Sequence, residues 1–329
     1  MKQSAAVRPD PTTQRKAAIA EGAALEHTGK VRVEPIPNFD LNRTIFQTLE
    51  GRAARYVMAK RVGKEVHWDA GEAKEVNAKY DRLLASKHLP QVDSALIAFM
   101  VNECDFDVEH ADGSFLDHLY FCFEYTVQHY PAGAPLVMLL HSILGTGTNT
   151  FAMTADKIPA LQALMTPHDW EQTAAFPSVL RLLYAGDLRR ELWAQAQRGR
   201  TLKSISMRRV IDNEPIELSA EAFWEALNYQ LIHLVDFLPV ANWAVHQNDT
   251  SFILFRDLYQ YLVKVEELRA KVDYNPANGS AKAVGEKQGF GGWLTTKIPV
   301  STSETMASKS VMRFSERIGH SLDYTVEWL

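Results

Sequence analysis

The apolar residues of this chain recur at helical spacing along most of its length, and this periodicity predicts a mainly helical fold. In FDLNRTIFQTLEGRAARYVMAKRVG, for example, Leu41, Ile45 and Leu49 share one helical face and Gly63 follows the last turn. Similar patterns predict further helices at about residues 70–86, 92–103, 155–165, 178–198, 220–238 and 250–272. The predicted class is therefore all-α.

One segment departs from the helical pattern. Residues 201–218, TLKSISMRRVIDNEPIEL, are rich in β-branched side chains and contain a turn sequence at Asp212–Pro215. This composition predicts a small β-hairpin or another excursion from the helical body.

The chain divides into three parts by composition. Residues 1–38 are rich in Ala, Pro, Thr and charge and predict a flexible arm, whereas residues 39–272 carry the helical patterns. Residues 273–329 begin with a Gly- and Ser-rich loop and end with apolar residues that we expect to dock on the helical domain. The functional core of that domain is predicted within residues 110–240.

Bulk properties exclude several classes of protein. The formal net charge of -5 over 329 residues does not favour a nucleic-acid partner, which a strongly basic surface would require. Two cysteines, Cys104 and Cys122, cannot form a disulfide framework, and no apolar run is long enough for a signal peptide or a membrane span. We therefore expect a cytoplasmic protein without a membrane partner, whose oligomeric state the sequence leaves open.

Two histidines lie on predicted buried helix faces. Ser114 and Asp117 form a capping-box pattern that predicts the start of a helix, and His118 then shares a face with Leu119 and Cys122. His141 follows PLVMLL in a helix predicted over residues 135–144 that is apolar on all sides. A buried imidazole needs a partner for each ring nitrogen, which is either a hydrogen-bonding group or a metal ion.

The order of these residues resembles a known superfamily. The stretch SFLDHLYFCFEYTVQHYPAGAPLVMLLHSILGTGTNTF resembles the start of an HD-domain-like protein, specifically an uncharacterised HD-like family with His-Ser in place of the His-Asp pair. The resemblance implies a helical bundle in which His118 and His141 are the first two metal ligands. It assigns the final acidic ligand to Asp236, and His233, one turn earlier, is a plausible substitute.

The His-Ser pair affects the chemistry that the resemblance implies. Ser142 stands where an aspartate would bridge two metal ions, so a dinuclear centre is not expected. The remaining set, His118, His141 and Asp236, would hold one divalent ion (Fe, Zn or Mn) with open positions for water or substrate. These three residues are therefore the predicted catalytic and metal-binding residues.

Residues near these ligands are predicted to bind a small-molecule substrate. The small and hydroxylated residues after His141 allow close approach of a ligand, and aromatic residues near the other predicted ligands could form an apolar pocket. The predicted substrate-binding residues are Ser142, Thr146, Asn149, Tyr125, His233 and Tyr229. Arg181, Arg189 and Arg190 are the nearest cations for a phosphate group. His168-Asp169 is a literal HD dipeptide, but its place after Pro167 favours a helix start, where Asp169 complements the helix dipole.

Three functions remain open at this point. The first is a metal-dependent hydrolase with a mononuclear His/His/Asp site, which the superfamily's chemistry implies. The second is a mononuclear non-haem iron oxygenase on the same scaffold. The third is a non-catalytic helical binding protein that retains the fold without its metal.

Overall fold

This computed structural model describes residues 51–62, 70–71, 73–75, 78, 90–104, 109–110, 113–145, 147, 153–235, 247–272 and 290–329. The helices in these ranges are α1 (Arg52–Val62), α2 (Ser94–Cys104), α3 (Phe115–His129), α4 (Pro135–Leu140), α5 (Ile158–Gln162), α6 (Pro167–Ala185), α7 (Asp187–Gln197), α8 (Ala220–Val235), α9 (Thr250–Lys264), α10 (Phe290–Thr295) and α11 (Val300–Ile318). The strands are β1 (Glu109–His110), β2 (Gly113–Ser114), β3 (Leu202–Arg208), β4 (Pro215–Ser219) and β5 (Tyr324–Trp328), and a 3₁₀ turn covers Ala155–Lys157. The predicted class, mainly helical with a small β excursion, is confirmed.

The β excursion is a three-stranded antiparallel sheet in the order β4-β3-β5. The predicted hairpin is β3 and β4, in which Ile205 pairs with Leu218. The sequence patterns did not predict the third strand: β5 pairs with the other edge of β3, where Ile205 lies opposite Val326. The C-terminal residues 324–328 therefore complete a sheet whose first strand lies more than a hundred residues earlier.

Two helices replace the single helix predicted over residues 178–198. α6 begins much earlier, at Pro167, where the Thr166 hydroxyl accepts a hydrogen bond from the Asp169 amide (3.1 Å). The helical path breaks at Gly186, whose φ of +94° is readily accessible only to glycine, and α7 starts at the next residue. The predicted helix start at His168-Asp169 is thus confirmed, whereas the predicted bounds of the longer helix are wrong.

The core lies where α3, α4, α6 and α8 pack on one another, with α9 and α11 covering the far sides of α8 and α6. α4 is the most central of these elements, since Val137, Met138, Leu139 and Leu140 have no exposed surface. It ends at Leu140 rather than at the predicted residue 144, and residues 141–144 form a turn. No helix in the described ranges combines the length and apolarity that a membrane crossing needs.

Candidate metal centre

Three histidines from three helical segments meet in this core. His118 lies in the first turns of α3, His141 immediately follows α4, and His233 lies in the last turn of α8. One ring nitrogen from each lies within 4.8 Å of the others, and all three side chains are buried. Within the described residues, no other group of three His, Cys, Asp or Glu side chains brings its ligand atoms this close.

The rings meet edge to face around a common point. The three ring centroids are 5.0–5.1 Å apart, with interplanar angles of 71–80°. The Nε2 atoms of His118 and His141 are separated by 3.1 Å. The ring faces are therefore not stacked, and the edges of His118 and His141 that carry Nε2 face each other.

The other ring nitrogen of His141 determines which tautomer faces the cluster. Its Nδ1 lies 2.7 Å from the Met138 carbonyl oxygen, which can only accept a hydrogen bond. Nδ1 therefore carries the proton in the neutral ring, and Nε2 presents a lone pair towards His118. This is the hydrogen-bonding pattern that orients histidine ligands in metal sites.

His118 has a similar neighbour on its outer side. Its Nδ1 lies 4.0 Å from the Cys122 sulfur, one turn further along α3. The ring or the thiol can be the donor in this contact, and when the thiol donates, the His118 Nε2–H donates to the His141 Nε2 lone pair.

Phe176 of α6 closes one side of the cluster. Its ring centroid lies 4.7 Å from that of His141 and 5.5 Å from that of His233, and its side chain is buried. Because a phenylalanine ring has no polar atom, this side of the histidine cluster is apolar.

The structure brings together His118 and His141 as predicted, and the third member that it describes is His233. The resemblance assigns the third place to Asp236, with His233 as a substitute. Asp236 lies outside the described residues, so its ligand role stays a prediction. Thr146 and Asn149 also lie outside them. Ser142 is buried beside His141 in the chain.

The two tyrosines predicted to bind substrate have structural partners. The Tyr229 hydroxyl donates to Glu225 Oε1 (2.5 Å) and accepts from the Ala134 amide (2.6 Å) at the start of α4. Burial and the adjacent Glu225 carboxylate raise the pKa of Tyr229, so its hydroxyl stays protonated. The Tyr125 hydroxyl donates to the Lys271 carbonyl oxygen (3.4 Å). Their roles in substrate binding remain predictions.

The HD dipeptide forms a separate network near the surface. His168 lies between two carboxylates, with Nε2 2.9 Å from Glu225 Oε2 and Nδ1 3.2 Å from Asp169 Oδ1. Burial by itself would lower the pKa of His168. The hydrogen bonds to Glu225 and Asp169 outweigh burial, so the pKa of His168 lies above its usual value. Through Glu225 this network continues to Tyr229 and hence to the start of α4.

The arginines named as phosphate candidates lie in two different environments. Arg181 is fully buried, its Nη1 donates to the Ser315 hydroxyl (3.3 Å), and burial lowers its pKa to about 9. Arg189 joins α7 to two other helices, since its guanidinium lies 3.0 Å from both Asp257 and Glu304. It lines an open cavity of about 330 Å³ together with Arg190 and Trp193.

Comparison of the chain with protein-family models, with curated proteins and with solved structures found no match. The functional argument therefore depends on the geometry of the site. Three buried histidines that share a common point could hold a metal ion.

Proposed function

We propose that this protein is a metal-dependent enzyme that holds one divalent ion on His118, His141 and His233 and hydrolyses a small organic molecule. The observation that carries the proposal is the pair of Nε2 atoms 3.1 Å apart, with Nδ1 of His141 occupied by a carbonyl oxygen. The two Nε2 atoms can share one proton as a hydrogen bond, and a cation bound to both of them would take the place of that proton.

The distances support a single ion. Metal–nitrogen bonds of about 2.0–2.1 Å in tetrahedral geometry would separate two ligand nitrogens by about 3.3–3.4 Å. The 3.1 Å between His118 and His141 is close to this value. The His233 nitrogen lies within 4.8 Å of the other two, so it would be the third ligand of the same ion.

Three histidine ligands suit a catalytic site better than a structural one. Structural zinc sites use four protein ligands, whereas catalytic sites use three and keep a position for water or substrate. When bound, the ion would supply a water molecule acidified towards neutral pH as the hydrolytic nucleophile. The Met138 carbonyl would hold the His141 ring in place, and Phe176 would exclude bulk water from one side.

The resemblance to HD-domain-like proteins adds to this proposal. The first two histidines of that superfamily correspond to His118 and His141, which come from consecutive helices and meet in the core. Ser142 replaces the bridging aspartate, so the proposed centre is mononuclear. Asp236, three residues after His233 in the sequence, is the acidic ligand that the resemblance implies, and it lies outside the described residues.

Metal analysis of the purified protein tests the proposal. We expect close to one equivalent of a transition metal per chain, and its loss in each of His118→Ala, His141→Ala and His233→Ala. His168→Gln is the matched control, because His168 is a hydrogen-bonded histidine outside the cluster, and it should retain the metal. A wild-type protein that binds no zinc, manganese or iron would overturn the proposal, as would a His233→Ala variant that binds metal normally.

The identity of the metal separates hydrolysis from its alternative. Zinc or manganese with turnover of a small ester, amide or phosphoester would support hydrolysis. Iron together with oxygen consumption would favour the mononuclear oxygenase instead. A protein that binds metal but turns over nothing in either assay would favour a binding function.

A further inference from the structure

Phe176 of α6 contacts two of the three proposed metal ligands. Its ring lies against the imidazoles of both His141 and His233, at centroid distances of 4.7 and 5.5 Å. These two histidines belong to different segments, α4 and α8, so the position of this one ring constrains both. A shift of Phe176 would therefore change the angle between two proposed ligands.

Near Phe176, α6 has one backbone hydrogen bond fewer than a regular helix. Pro177 follows it inside α6 and has no amide hydrogen, so the carbonyl of Thr173 loses its intrahelical partner. Such a proline locally weakens and bends a helix. The position of the Phe176 ring must then depend on contacts from outside α6.

Gln230 supplies such a contact. It lies on α8 three residues before His233, is fully buried, and its Nε2 donates to the Phe176 carbonyl oxygen at 3.0 Å. The opposite orientation of the amide would place two oxygens together, so this donor assignment is unambiguous. One side chain thus connects the turn of α8 that carries His233 to the residue that contacts His233 and His141.

We propose that Gln230 is a positioning residue for the metal centre: its hydrogen bond to the Phe176 carbonyl holds the Phe176 ring against His141 and His233 and so fixes the angle between these ligands. The proposal rests on the metal centre proposed above. It predicts that loss of the Gln230 amide changes the coordination geometry and affinity of the bound metal.

The chain contains a matched control for this role. Gln172 of α6 is also buried and also joins α6 to α8, since its Nε2 donates to the Ala222 carbonyl oxygen at 2.9 Å. In the described part of the chain, the side-chain oxygens of both glutamines lack a hydrogen-bond partner. Ala222 precedes His233 by eleven residues of α8, a distance of about 16 Å along the helix. The two amides therefore differ mainly in their distance from the centre.

The experiment compares Gln230→Met with Gln172→Met. Methionine keeps the length and approximate volume of glutamine without its hydrogen bond. Each purified variant is loaded with Co²⁺, and its visible absorption spectrum and its Co²⁺ affinity, from competition with a chelator, are measured beside those of the wild type. We expect Gln230→Met to change the ligand-field bands and to weaken binding by about 10-fold, the lower end for residues that support metal ligands. Gln172→Met should leave both unchanged while losing a similar amount of thermal stability.

A second variant tests the route through Phe176. Phe176→Leu removes the ring but leaves its backbone carbonyl for Gln230, and it should alter the cobalt spectrum in the same direction as Gln230→Met. Adding Gln230→Met to Phe176→Leu should then have little further effect, because the two residues act as one unit. Equal spectra and affinities in Gln230→Met and the wild type would overturn the positioning role. So would equal changes in both glutamine variants, whereas a wild type without metal would also overturn the proposed function.

Discussion

Replacing Tyr229 with phenylalanine removes a single oxygen that connects two of the segments around the centre. The hydroxyl donates to Glu225 at 2.5 Å and accepts from the Ala134 amide at 2.6 Å, so the substitution breaks two hydrogen bonds while the ring keeps its contact with Tyr130. A hydrogen bond to a charged group contributes about 1.5–3 kcal/mol and a neutral one about 1 kcal/mol. In the variant, Glu225 still accepts a hydrogen bond from His168 on its other oxygen, so we take about 1.5 kcal/mol for the lost bond from Tyr229 to Glu225. We expect the free energy of unfolding to fall by about 2.5 kcal/mol.

Denaturant unfolding of Tyr229→Phe beside Tyr261→Phe measures this difference. Tyr261 is also buried, at 3% exposure, but its hydroxyl has no hydrogen bond within the described residues. Its replacement by phenylalanine should therefore change stability by less than about 1 kcal/mol. Equal effects of the two substitutions would refute the reasoning, because they would mean that the bonds to Glu225 and Ala134 contribute nothing net. A Tyr229→Phe variant of normal stability with a raised KM would instead support the predicted role in substrate binding.

Three further predictions concern acid, metal and a helix boundary. Burial lowers the pKa of His320 to about 4, whereas an unfolded histidine has a pKa of 6.5. Only the unfolded chain is therefore protonated at this ring between these pH values, so the free energy of unfolding should fall by up to about 3 kcal/mol from pH 6.5 to pH 4. In His320→Gln, stability should change less over this pH range. Metal at about 100 times its Kd should stabilise the wild type by about 2.7 kcal/mol and raise its Tm by several degrees in a thermal melt, an increase that chelator or His141→Ala should abolish. Gly186→Ala should lower the free energy of unfolding by about 1–2 kcal/mol, because alanine is strained at a φ of +94°. The loss should exceed that of Gly199→Ala, because the methyl group added at Gly186 would lie 3.0 Å from Arg190 Nη1, whereas the one added at Gly199 meets no atom within 4 Å.

The helical class could be predicted because apolar periodicity is a local property of the sequence. The residues at which helices begin and end depend on local backbone conformations that apolar periodicity does not indicate. The predicted helix over 178–198 failed at Gly186, whose left-handed conformation depends on how α6 and α7 pack. β5 was not predicted because its partner strand, β3, is more than a hundred residues away, and a single short strand has no local signal of pairing.

The first two histidines could be predicted because the helices around them have clear faces or are apolar throughout. His233 was harder to separate from Asp236, and the structure shows the reason. From Ala226 to Val235 every residue of α8 is buried. Without a solvent-facing side, the sequence contains no information on the rotation of the helix, so it cannot indicate which polar residue faces the other two histidines.

Buried polar residues on an apolar helix are therefore an ambiguous signal, and α8 contains a structural residue and a candidate metal ligand. Asn228 is fully buried, but its amide nitrogen donates to the carbonyls of Trp224 and Glu267 and its oxygen accepts from the amides of Arg269 and Ala270. Backbone groups thus meet its full hydrogen-bonding capacity, which is a structural role. His233, five residues later, faces two other imidazoles, whose ring nitrogens could bind a cation. A buried polar side chain becomes a candidate metal ligand when its neighbours are other imidazoles, because their ring nitrogens are ligands that one transition-metal ion can share.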